Sequence, residues 1–461
     1  MSVEVAVIGG GISGLATAFA LTGRGHRVVV LECQQRSGGN AISERIGGFL
    51  MEHGPSTINA MSEVACDVSN ELGLDGDRVE LGAGVRRRYL VGGGRLRAIA
   101  THPFGFLTSG YLSTRAKLRL LGEAMIRKAA SADEETIADF FTRRFGREFA
   151  ERVADPLVAG LYTGRAGELS MSVFPRLVEL EREFGSITAG MLLRRWRGGA
   201  MPGSRLFSWR DGIATLPVAL ARGLGGVVHT GTAVRRLQSL GTGYRIDAGA
   251  AGTFAAATVV IATQPHVAAG LLDGLDACAA SAAGSIDAPP VAIVYLGFER
   301  SAVSHPLDGL GFMTPEAEGR SLIGAQFCST MFAGRAPAGH VAVSGYFGGV
   351  RAPDTARLAS ADLIDRARSE FADLIGACGQ PVVARVRHWP CGLPQYRLGH
   401  DGKRRDFESL PERRPGLFVT GNYLAGPSVA ACLEQAARTA ARVDRFLASA
   451  GEPAAAGIGA D

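Results

Sequence analysis

The chain has 461 residues, of which 46% are hydrophobic and 20% charged, and its formal net charge is +5. This length exceeds one ordinary hydrophobic core, so we expect a globular protein of two or three lobes. Arginine supplies the positive charge, but no arginine run is interleaved with base-stacking aromatic residues, so nucleic-acid binding is not expected. We interpret the densest basic cluster, residues 194–197, as a solvated helix face.

Seven cysteines are scattered along the chain without any C-x-x-C pair. This pattern argues against a disulfide framework and a metal site, and it fits a cytoplasmic protein. We expect no signal peptide and no membrane-spanning segment. The apolar, glycine-rich stretch 103–112 is interpreted as buried in the fold, while peripheral membrane contact and a monomeric or homodimeric state stay open.

The first predicted elements form a nucleotide-binding crossover. An apolar strand at residues 3–8 precedes the pattern G-x-G-x-x-G, a helical run follows, and a second apolar strand covers residues 28–31. Gly9 permits a tight turn, Gly11 lets a pyrophosphate approach the backbone, and Gly14 lets the helix lie close to the strand. The pattern alone is weak evidence, but here its flanks match as well.

Two further features of this crossover indicate how a dinucleotide binds. The helix begins at Ile12 and Ser13, and its N-terminal amides and partial positive charge favour phosphate groups. Glu32 ends the second strand, where a carboxylate can accept hydrogen bonds from ribose hydroxyls. A carboxylate there also repels a 2′-phosphate, so NADP is disfavoured.

The stretch after Glu32 indicates which dinucleotide binds. Arg36, Gly38, Gly39 and Asn40 resemble the E-x-x-x-R-x-G-G segment of the flavin amine oxidase superfamily, and Gly54, Pro55 and Ser56 follow soon after. The resemblance implies FAD as the cofactor. It also implies that Arg36 lies near the pyrophosphate and that the Gly38–Gly39 backbone passes beside the flavin.

The remaining predicted elements alternate between helical and extended segments. Apolar residues at helical spacing predict helices within 113–197, at 216–224 and at 429–448. Apolar and β-branched runs predict sheet elements at 227–230, 232–234, 258–263, 291–296, 340–344 and 416–422.

The order of these elements predicts the fold class. We expect an α/β protein with a discontinuous Rossmann-like FAD-binding domain, a mixed-sheet substrate domain and a helical insertion. The expected segments are residues 1–85, 207–284 and 396–449 for the FAD-binding domain, 86–206 for the helical insertion, 285–395 for the substrate-binding sheet and 450–461 for a disordered tail.

Three later motifs resemble the protoporphyrinogen oxidase family, and this resemblance extends over residues 3–447. They lie at residues 157–175, 315–337 and 388–400. The resemblance implies non-covalent FAD, a porphyrinogen substrate, and oxygen as the acceptor with hydrogen peroxide as the product. Six electrons leave in three two-electron steps, with hydride passing to flavin N5. No strong protein base is needed if the macrocycle is held at contact distance, so we assign no catalytic side chain.

The same resemblance implies roles for individual residues. Gly160 would face the macrocycle, and Met313 and Phe327 would sandwich its rings, although a turn glycine and ordinary core packing account equally well for them. Val234 would contact adenine, and Trp389 would lie near the flavin or merely pack in the core. The final motif contributes Gly421, Asn422 and Val429, with the last helix directed at the flavin N1–O2 edge.

Three departures from the family leave the substrate open. Phe104 stands where many members carry a basic residue that pairs with a propionate; the final motif has Pro427 and Ser428 before Val429; and the helical segment has few aromatics. Coproporphyrinogen, with two more propionates, would require further basic residues, and the candidates are Arg86, Arg88, Arg95 and Arg97. The alternative is a flavin oxidase or desaturase of the same fold acting on a specialised metabolite, an amine or a polyisoprenoid. Lys117, Lys128 and Lys403 do not lie in a segment resembling the lysine site of amine oxidases.

Overall fold

Two seven-stranded sheets form the framework of the computed structural model, which describes residues 2–99, 109–127, 134–196 and 205–451. We call them the N-terminal sheet and the central sheet. Helices and a second, mixed sheet accompany a parallel nucleotide-binding core, so the predicted α/β class is confirmed. Phe104, Lys128 and most of the predicted tail lie outside the described residues.

The N-terminal sheet is assembled from distant parts of the chain. In sheet order its strands are Val228–His229, Val28–Leu31, Ser2–Ile8, Thr253–Ile261, Gly243–Asp247 and Arg236–Leu240, and Leu417–Val419 also pairs with Thr253–Ile261. Val7 lies opposite both Val30 and Val260 in parallel pairing. The parallel segments 5–8, 28–31 and 259–261 are continuous apolar runs because both faces of this part of the sheet are buried.

Helices from separate parts of the chain cover the two faces of this sheet. One face packs against Ile12–Thr22, Glu63–Glu71, Thr215–Leu224 and Val429–Gly451. The other face packs against Pro265–Leu272, Ala277–Gly284, His400–Glu408 and the short helices Leu410–Arg413 and Asn422–Ala425. The terminal helix thus returns to the first βαβ unit, which brings the final motif back to the glycine-rich turn.

The central sheet is mixed. In sheet order its strands are Val383–Trp389, Val291–Glu299, His340–Gly348, Leu322–Gln326, Gly309–Met313, Arg87–Gly92 and Arg95–Ile99. Gly309–Met313 and Arg87–Gly92 run parallel, whereas the other neighbours are antiparallel. Helix Ser360–Ile375 covers one face of the sheet. The opposite face therefore remains for other contacts.

A helical region lies beside the central sheet. Its helices are Thr114–Leu121, Ile137–Phe145, Arg147–Phe149, Asp155–Tyr162, Pro175–Phe184 and Ile187–Trp196, with a π-helical turn at Ala150–Ala154. Phe140, Tyr162 and Tyr396 are buried in its core. Two small sheets, Ser43–Ile46 with Phe49–Glu52 and Ile58–Asn59 with Leu206–Trp209 and Arg78–Glu80, adjoin these lobes.

The observed elements differ from the predicted ones at two places. The predicted sheet element at 232–234 is wrong: the backbone N–H of Thr232 bonds to the carbonyl oxygen of Glu32, but no strand forms there. Residues 86–206, predicted as a helical insertion, begin with Arg87–Gly92 and Arg95–Ile99, which pair with the central sheet. β-branched composition predicts extended backbone but does not supply a neighbouring strand.

Candidate active site

The three glycines of the first turn have different surroundings. Gly9 has a φ of +107°, which a side chain would strain. A Cβ on Gly14 would lie 1.9 Å from the carbonyl oxygen of Gly9, so the helix lies directly against the turn. A Cβ on Gly11 would meet only the Cα of Gly39, at 3.9 Å. Gly11 therefore borders open space, which a side chain would fill.

The helix N-terminus is directed at this space. Helix Ile12–Thr22 follows Gly11 directly, and among the described residues no side chain caps its first turn. Ser13 is buried in that first turn. Unpaired amide groups beside an open cradle are suited to binding phosphate oxygens.

Glu32 is fixed at the end of the second strand. Its Oε2 accepts a hydrogen bond from the backbone N–H of Gly10 at 2.6 Å, and its Oε1 accepts one from the backbone N–H of Gln34 at 2.7 Å. Oε1 also accepts from the Cys33 thiol at 3.4 Å, whereas Oε2 keeps a further lone pair, with which the group can still accept from a ribose hydroxyl. The Thr232–Glu32 backbone bond brings Val234, which is half-buried, to the same side of the sheet.

A second glycine segment closes over the first turn. The backbone N–H of Gly38 donates to the carbonyl oxygen of Gly10 at 2.7 Å, and Gly39 has a φ of +57°. Arg36 folds over this segment, since its Nη2 donates to the Gly39 carbonyl oxygen at 2.8 Å. The arrangement places the two predicted cofactor segments against each other.

Residues 40–56 contribute a third wall. A Cβ on Gly54 would lie 2.1 Å from the carbonyl oxygen of Asn40, so the two backbones touch there. Pro55 continues this segment, and Ser56 Oγ donates to the Oε1 of Gln326 on the central sheet, at 3.1 Å. This hydrogen bond ties the N-terminal segment to the face of the central sheet opposite helix Ser360–Ile375.

Two arginines lie near each other without an ion-pair partner in the described part of the chain. Burial and the charge of Arg387 lower the pKa of Arg36, and both arginines also lower the pKa of His53, in addition to the effect of its burial. Arg387 Nε is buried and has no hydrogen-bond partner among the residues that the structure describes. Converging positive charge with an unpaired buried donor fits a pyrophosphate group.

Trp389 lies on the same strand as Arg387 and contacts the segment that leads into Gly54. Its Nε1 donates to the carbonyl oxygen of His53 at 2.5 Å. The Arg387 guanidinium carbon lies 5.8 Å from the centre of the Trp389 ring. Trp389 thus makes a specific polar contact beside the predicted cofactor segments.

The final motif, which begins at Gly421, follows strand Leu417–Val419 at one end of the N-terminal sheet. The backbone N–H of Thr420 donates to the carbonyl oxygen of Ile261 at 2.9 Å, after which Gly421 turns the chain into the short helix at Asn422. Tyr396 Oη donates to the carbonyl oxygen of Asn422 at 2.6 Å. Val429 starts the terminal helix and packs in the same core as Leu15.

One face of the central sheet carries the predicted substrate side. The side chains of cross-strand partners lie on the same face of a sheet. Successive pairs form one row across the central sheet, which consists of Leu90, Met313, Gly324, Tyr346, Ile293 and Arg387. A predicted substrate residue and a predicted cofactor residue are therefore on one surface.

Gly160 meets this surface from the helical region. A Cβ on Gly160 would lie 2.8 Å from Met313 Sδ, so the structure brings these two predicted residues together. Phe327 lies apart: it is fully buried among Tyr89, Phe312 and His305. Core packing accounts for these contacts, and a ring-sandwiching role for Phe327 stays a prediction.

Sequence reasoning missed three residues of this surface. Arg387, Gln326 and Tyr346 reach it only through the strand register. Tyr346 is half-buried, burial raises its pKa, and its hydroxyl has no hydrogen-bond partner among the described residues. The one signal available in the sequence was the alternation of side chains along a strand, which places Arg387 on the same face as Trp389.

The donor set fits FAD. Gly9, Gly11, Gly14 and the first helix would receive the pyrophosphate, assisted by Arg36 and Arg387. Glu32 would bind ribose, and Trp389 and the Gly54–Ser56 segment would border the flavin. In the described ranges no cluster of three metal-ligating side chains occurs. Of the helices in those ranges, none is both long and apolar enough to cross a bilayer.

Comparisons with known proteins identify the family to which the chain belongs. Residues 12–444 match the family of flavin containing amine oxidoreductases. The chain is 30% identical to the chloroplastic protoporphyrinogen oxidase of Oryza sativa subsp. japonica, over 97% of this chain and 89% of the relative. It is also 30% identical to the coproporphyrinogen III oxidase of Propionibacterium freudenreichii subsp. freudenreichii, over 97% of this chain and 92% of the relative.

Solved structures show the same fold. A protein from Exiguobacterium sp. 255-15 superposes with a TM-score of 0.85 at 20% identity, covering 96% of this chain and 98% of its own. Cyclohexylamine oxidase from Brevibacterium oxydans IH-35A gives 0.73 at 17% identity, covering 97% and 99%. The protein is an FAD-dependent oxidoreductase, and it belongs to the protoporphyrinogen oxidase family within the flavin containing amine oxidoreductases.

Proposed function

We propose that this protein oxidises a porphyrinogen to a porphyrin in tetrapyrrole biosynthesis, with molecular oxygen as acceptor and hydrogen peroxide as product. The observation that carries the proposal is the shared face of the central sheet, where Met313 and Tyr346 lie in one row with Arg387. A macrocycle of four pyrrole rings needs a broad apolar surface next to the flavin. This row, together with Gly160, supplies such a surface.

The names of the relatives support the substrate class. Protoporphyrinogen oxidases and coproporphyrinogen III oxidases both match nearly the whole chain. Both names describe oxidation of a porphyrinogen, so the shared chemistry is better supported than either individual substrate.

When bound, FAD supplies the hydride acceptor at N5 and passes electron pairs to oxygen. The chain's own residues would bind the cofactor and orient the substrate. Met313 and the backbone at Gly160 would fix the distance of the macrocycle from the cofactor. The uncapped first turn of Ile12–Thr22, Arg36 and Arg387 would hold the pyrophosphate through charge, without any covalent link.

The competing proposal is a same-fold oxidase acting on another substrate. Lys403 gives no support for an amine substrate, because its Nζ donates to the carbonyl oxygen of Ser285, on helices covering the N-terminal sheet away from the row. Lys117 lies on helix Thr114–Leu121. An amine or polyene substrate is therefore an outcome that the experiment must be able to detect.

The purified holoenzyme should be supplied in air with coproporphyrinogen, protoporphyrinogen, a primary amine and a polyene. Porphyrin absorbance and peroxide should be followed together. Balance requires three molecules of peroxide for each porphyrin, because six hydrogens leave the macrocycle. Turnover of the amine or polyene without porphyrinogen turnover would contradict the proposal.

A further inference from the structure

Helix Asp155–Tyr162, which carries Gly160, is held against the central sheet at both of its ends. Thr163 caps the C-terminal end of the helix with a φ of +52°. The carbonyl oxygen of Thr163 accepts a hydrogen bond, at 2.9 Å, from the backbone N–H of Val350, just after strand His340–Gly348. This backbone bond fixes the C-terminal end, and the side chain of the next residue in the chain fixes the N-terminal end.

The guanidinium of Arg351 bridges the helix and the sheet. Its Nη1 donates to the carbonyl oxygen of Thr314 at 2.7 Å, and Thr314 directly follows Met313. Its Nη2 donates to the carboxylate of Asp155, the first residue of the helix, and to the carbonyl oxygen of the same residue at 3.2 Å. One rigid planar group therefore connects the residue beside Met313 with the helix that carries Gly160.

The ion pair between Arg351 and Asp155 is largely buried, since the two side chains are 10% and 14% exposed. The third guanidinium nitrogen, Nε, lies 4.0 Å from a carboxylate oxygen of Glu316. Loss of Arg351 would leave the Asp155 carboxylate with one longer hydrogen bond, from the backbone N–H of Glu316 at 3.3 Å, and with no ion-pair partner among the described residues. Removing one partner of a buried pair is costly, so this contact is sensitive to substitution.

A second ion pair across the same boundary is more exposed. Arg165, beyond the end of the helix, places its Nη2 2.9 Å from the Oε1 of Glu316, and these side chains are 38% and 47% exposed. Exposed pairs contribute little, because water and salt screen them. The buried pair of Arg351, and not this one, should therefore hold the helix at its distance from the sheet.

The distance that Arg351 holds is the one between Gly160 and Met313. A Cβ on Gly160 would lie only 2.8 Å from Met313 Sδ, so the contact has no room for even a methyl group. A macrocycle bound at this border would be oriented by the helix and the sheet together. A shift of the helix would misplace the reacting carbon relative to the flavin, and a misplacement of about 1 Å can cost about 100-fold in rate.

We propose that Arg351 is a positioning residue for porphyrinogen oxidation, which fixes the helix of Gly160 against Met313 and thereby the orientation of the macrocycle. This inference rests on the proposed function, since it concerns the surface assigned there to the porphyrinogen. Arg351 acts through Gly160 and Met313, and neither the macrocycle nor the flavin needs to touch it.

The test compares Arg351→Gln with a matched control, Arg320→Gln. Arg320 lies 2.6 Å from Glu370 in an ion pair whose side chains are 18% and 11% exposed. Glu370 belongs to helix Ser360–Ile375, which covers the face of the central sheet away from Met313. The control therefore breaks a similarly buried pair without touching the helix of Gly160.

Four quantities are measured for each FAD-loaded protein. They are the melting temperature, the rate of anaerobic flavin reduction per bound FAD at saturating coproporphyrinogen or protoporphyrinogen, the affinity for the porphyrin product, and amide hydrogen exchange in residues 155–163. The last quantity reports on the helix without requiring any substrate.

Arg351→Gln and Arg320→Gln should both lower the melting temperature. Arg351→Gln alone should also slow flavin reduction by about 10-fold or more, weaken porphyrin binding and speed amide exchange in residues 155–163. Arg351→Lys keeps the charge but not the planar fork, so it should recover part of the rate. Arg165→Gln, which breaks the exposed pair, should behave as the wild type.

A double variant reports on the spacing itself. Gly160→Ala should raise KM by a smaller factor in the Arg351→Gln background than in the wild type, because the helix can then move away from Met313. Strictly additive effects would show that Arg351 and Gly160 do not act on the same spacing, and they would count against the proposal.

If Arg351→Gln reduced its flavin and bound porphyrin as Arg320→Gln does, Arg351 would be structural only and the proposal would be overturned. Unchanged amide exchange in residues 155–163 would overturn it as well. If Arg351→Gln yields no folded protein, Arg351→Lys and Asp155→Asn are judged by the same comparisons. If the wild-type flavin stays oxidised with both porphyrinogens, the proposed function fails, and amide exchange still decides whether Arg351 holds the helix.

Discussion

The indole Nε1 of Trp389 donates a hydrogen bond to the carbonyl oxygen of His53, with 2.5 Å between the two atoms. It joins the last residue of a central-sheet strand to the segment that leads into Gly54. Two regions more than 300 residues apart in sequence are thereby fixed to each other beside Arg36 and Arg387. The relative position of the cofactor and substrate surfaces is set by contacts of this kind.

Replacing Gly11 should weaken FAD binding without unfolding the chain. A Cβ at this position meets no protein atom closer than 3.9 Å, so Gly11→Ala should leave the melting temperature of the apoprotein unchanged. The methyl group would occupy the space expected for the pyrophosphate and should weaken FAD binding by roughly 1–3 kcal/mol. FAD titration followed by flavin fluorescence measures the effect.

Gly14→Ala is the matched control for this experiment. Its Cβ would lie 1.9 Å from a backbone oxygen, so the apoprotein should itself lose about 3 kcal/mol of stability. If Gly11→Ala retained full FAD affinity, the cradle would not be the pyrophosphate site.

Arg387→Gln should reduce FAD affinity. The substitution removes one of the two converging cations and should cost about 1.5–3 kcal/mol if it donates to a phosphate. Arg385→Gln, on the same strand and face but exposed, is the control. Equilibrium dialysis measures the FAD affinity of both variants. Equal affinities of Arg387→Gln and Arg385→Gln would show that Arg387 does not contact the pyrophosphate.

Gly160→Ala should impair substrate binding through Met313. The new methyl group would lie 2.8 Å from Met313 Sδ and should displace that side chain, which would raise KM for the porphyrinogen by an amount worth roughly 1–3 kcal/mol. Adding Met313→Ala should relieve the conflict and restore part of the loss. Gly167→Ala is the control, because its Cβ meets no atom within 4 Å.

If Gly160→Ala changed kcat and KM no more than Gly167→Ala does, the contact between Gly160 and Met313 would not border the substrate.

Glu52 should make folding stability depend on pH. Burial raises the pKa of its carboxyl from 4.5 to about 7, against the opposing effects of Ser43, Arg335 and the backbone N–H of Ile213. Between these two values the folded chain keeps a proton that the unfolded chain has released, so the free energy of unfolding falls as pH rises. The fall should approach 1.4 kcal/mol per pH unit, about the maximum for one group.

Glu52→Gln should remove this contribution. Urea unfolding at several pH values between 5 and 8 should show a smaller decline for the variant than for the wild type. Parallel curves for the two proteins would show that Glu52 titrates as an exposed carboxyl does.

Local patterns in the sequence predicted much of the fold. The βαβ unit at the N-terminus and the buried strand ending at Ile261 are continuous apolar runs with matching turns, so each could be recognised without knowing its neighbours. Residues 232–234 have a similar composition, but one backbone hydrogen bond to Glu32 holds Thr232 outside the ladder. Strand formation there depends on a partner, which composition does not reveal.

The part of the site that sequence could not predict depends on strand register. Alternation assigns Arg88 and Arg387 to a face of their own strands, but only the pairing places them on the same surface as Met313. Tyr346 likewise becomes part of the row through its pairing with Gly324 and Ile293. Such pairings join distant segments, and nothing in a single strand encodes them.

Porphyrinogen oxidation is most directly tested by mixing the FAD-loaded protein with coproporphyrinogen or protoporphyrinogen in the absence of oxygen. The yellow flavin absorbance should bleach rapidly with at least one of them and return when air is admitted, with porphyrin and peroxide formed. Flavin that stays oxidised with both porphyrinogens would contradict the proposed function.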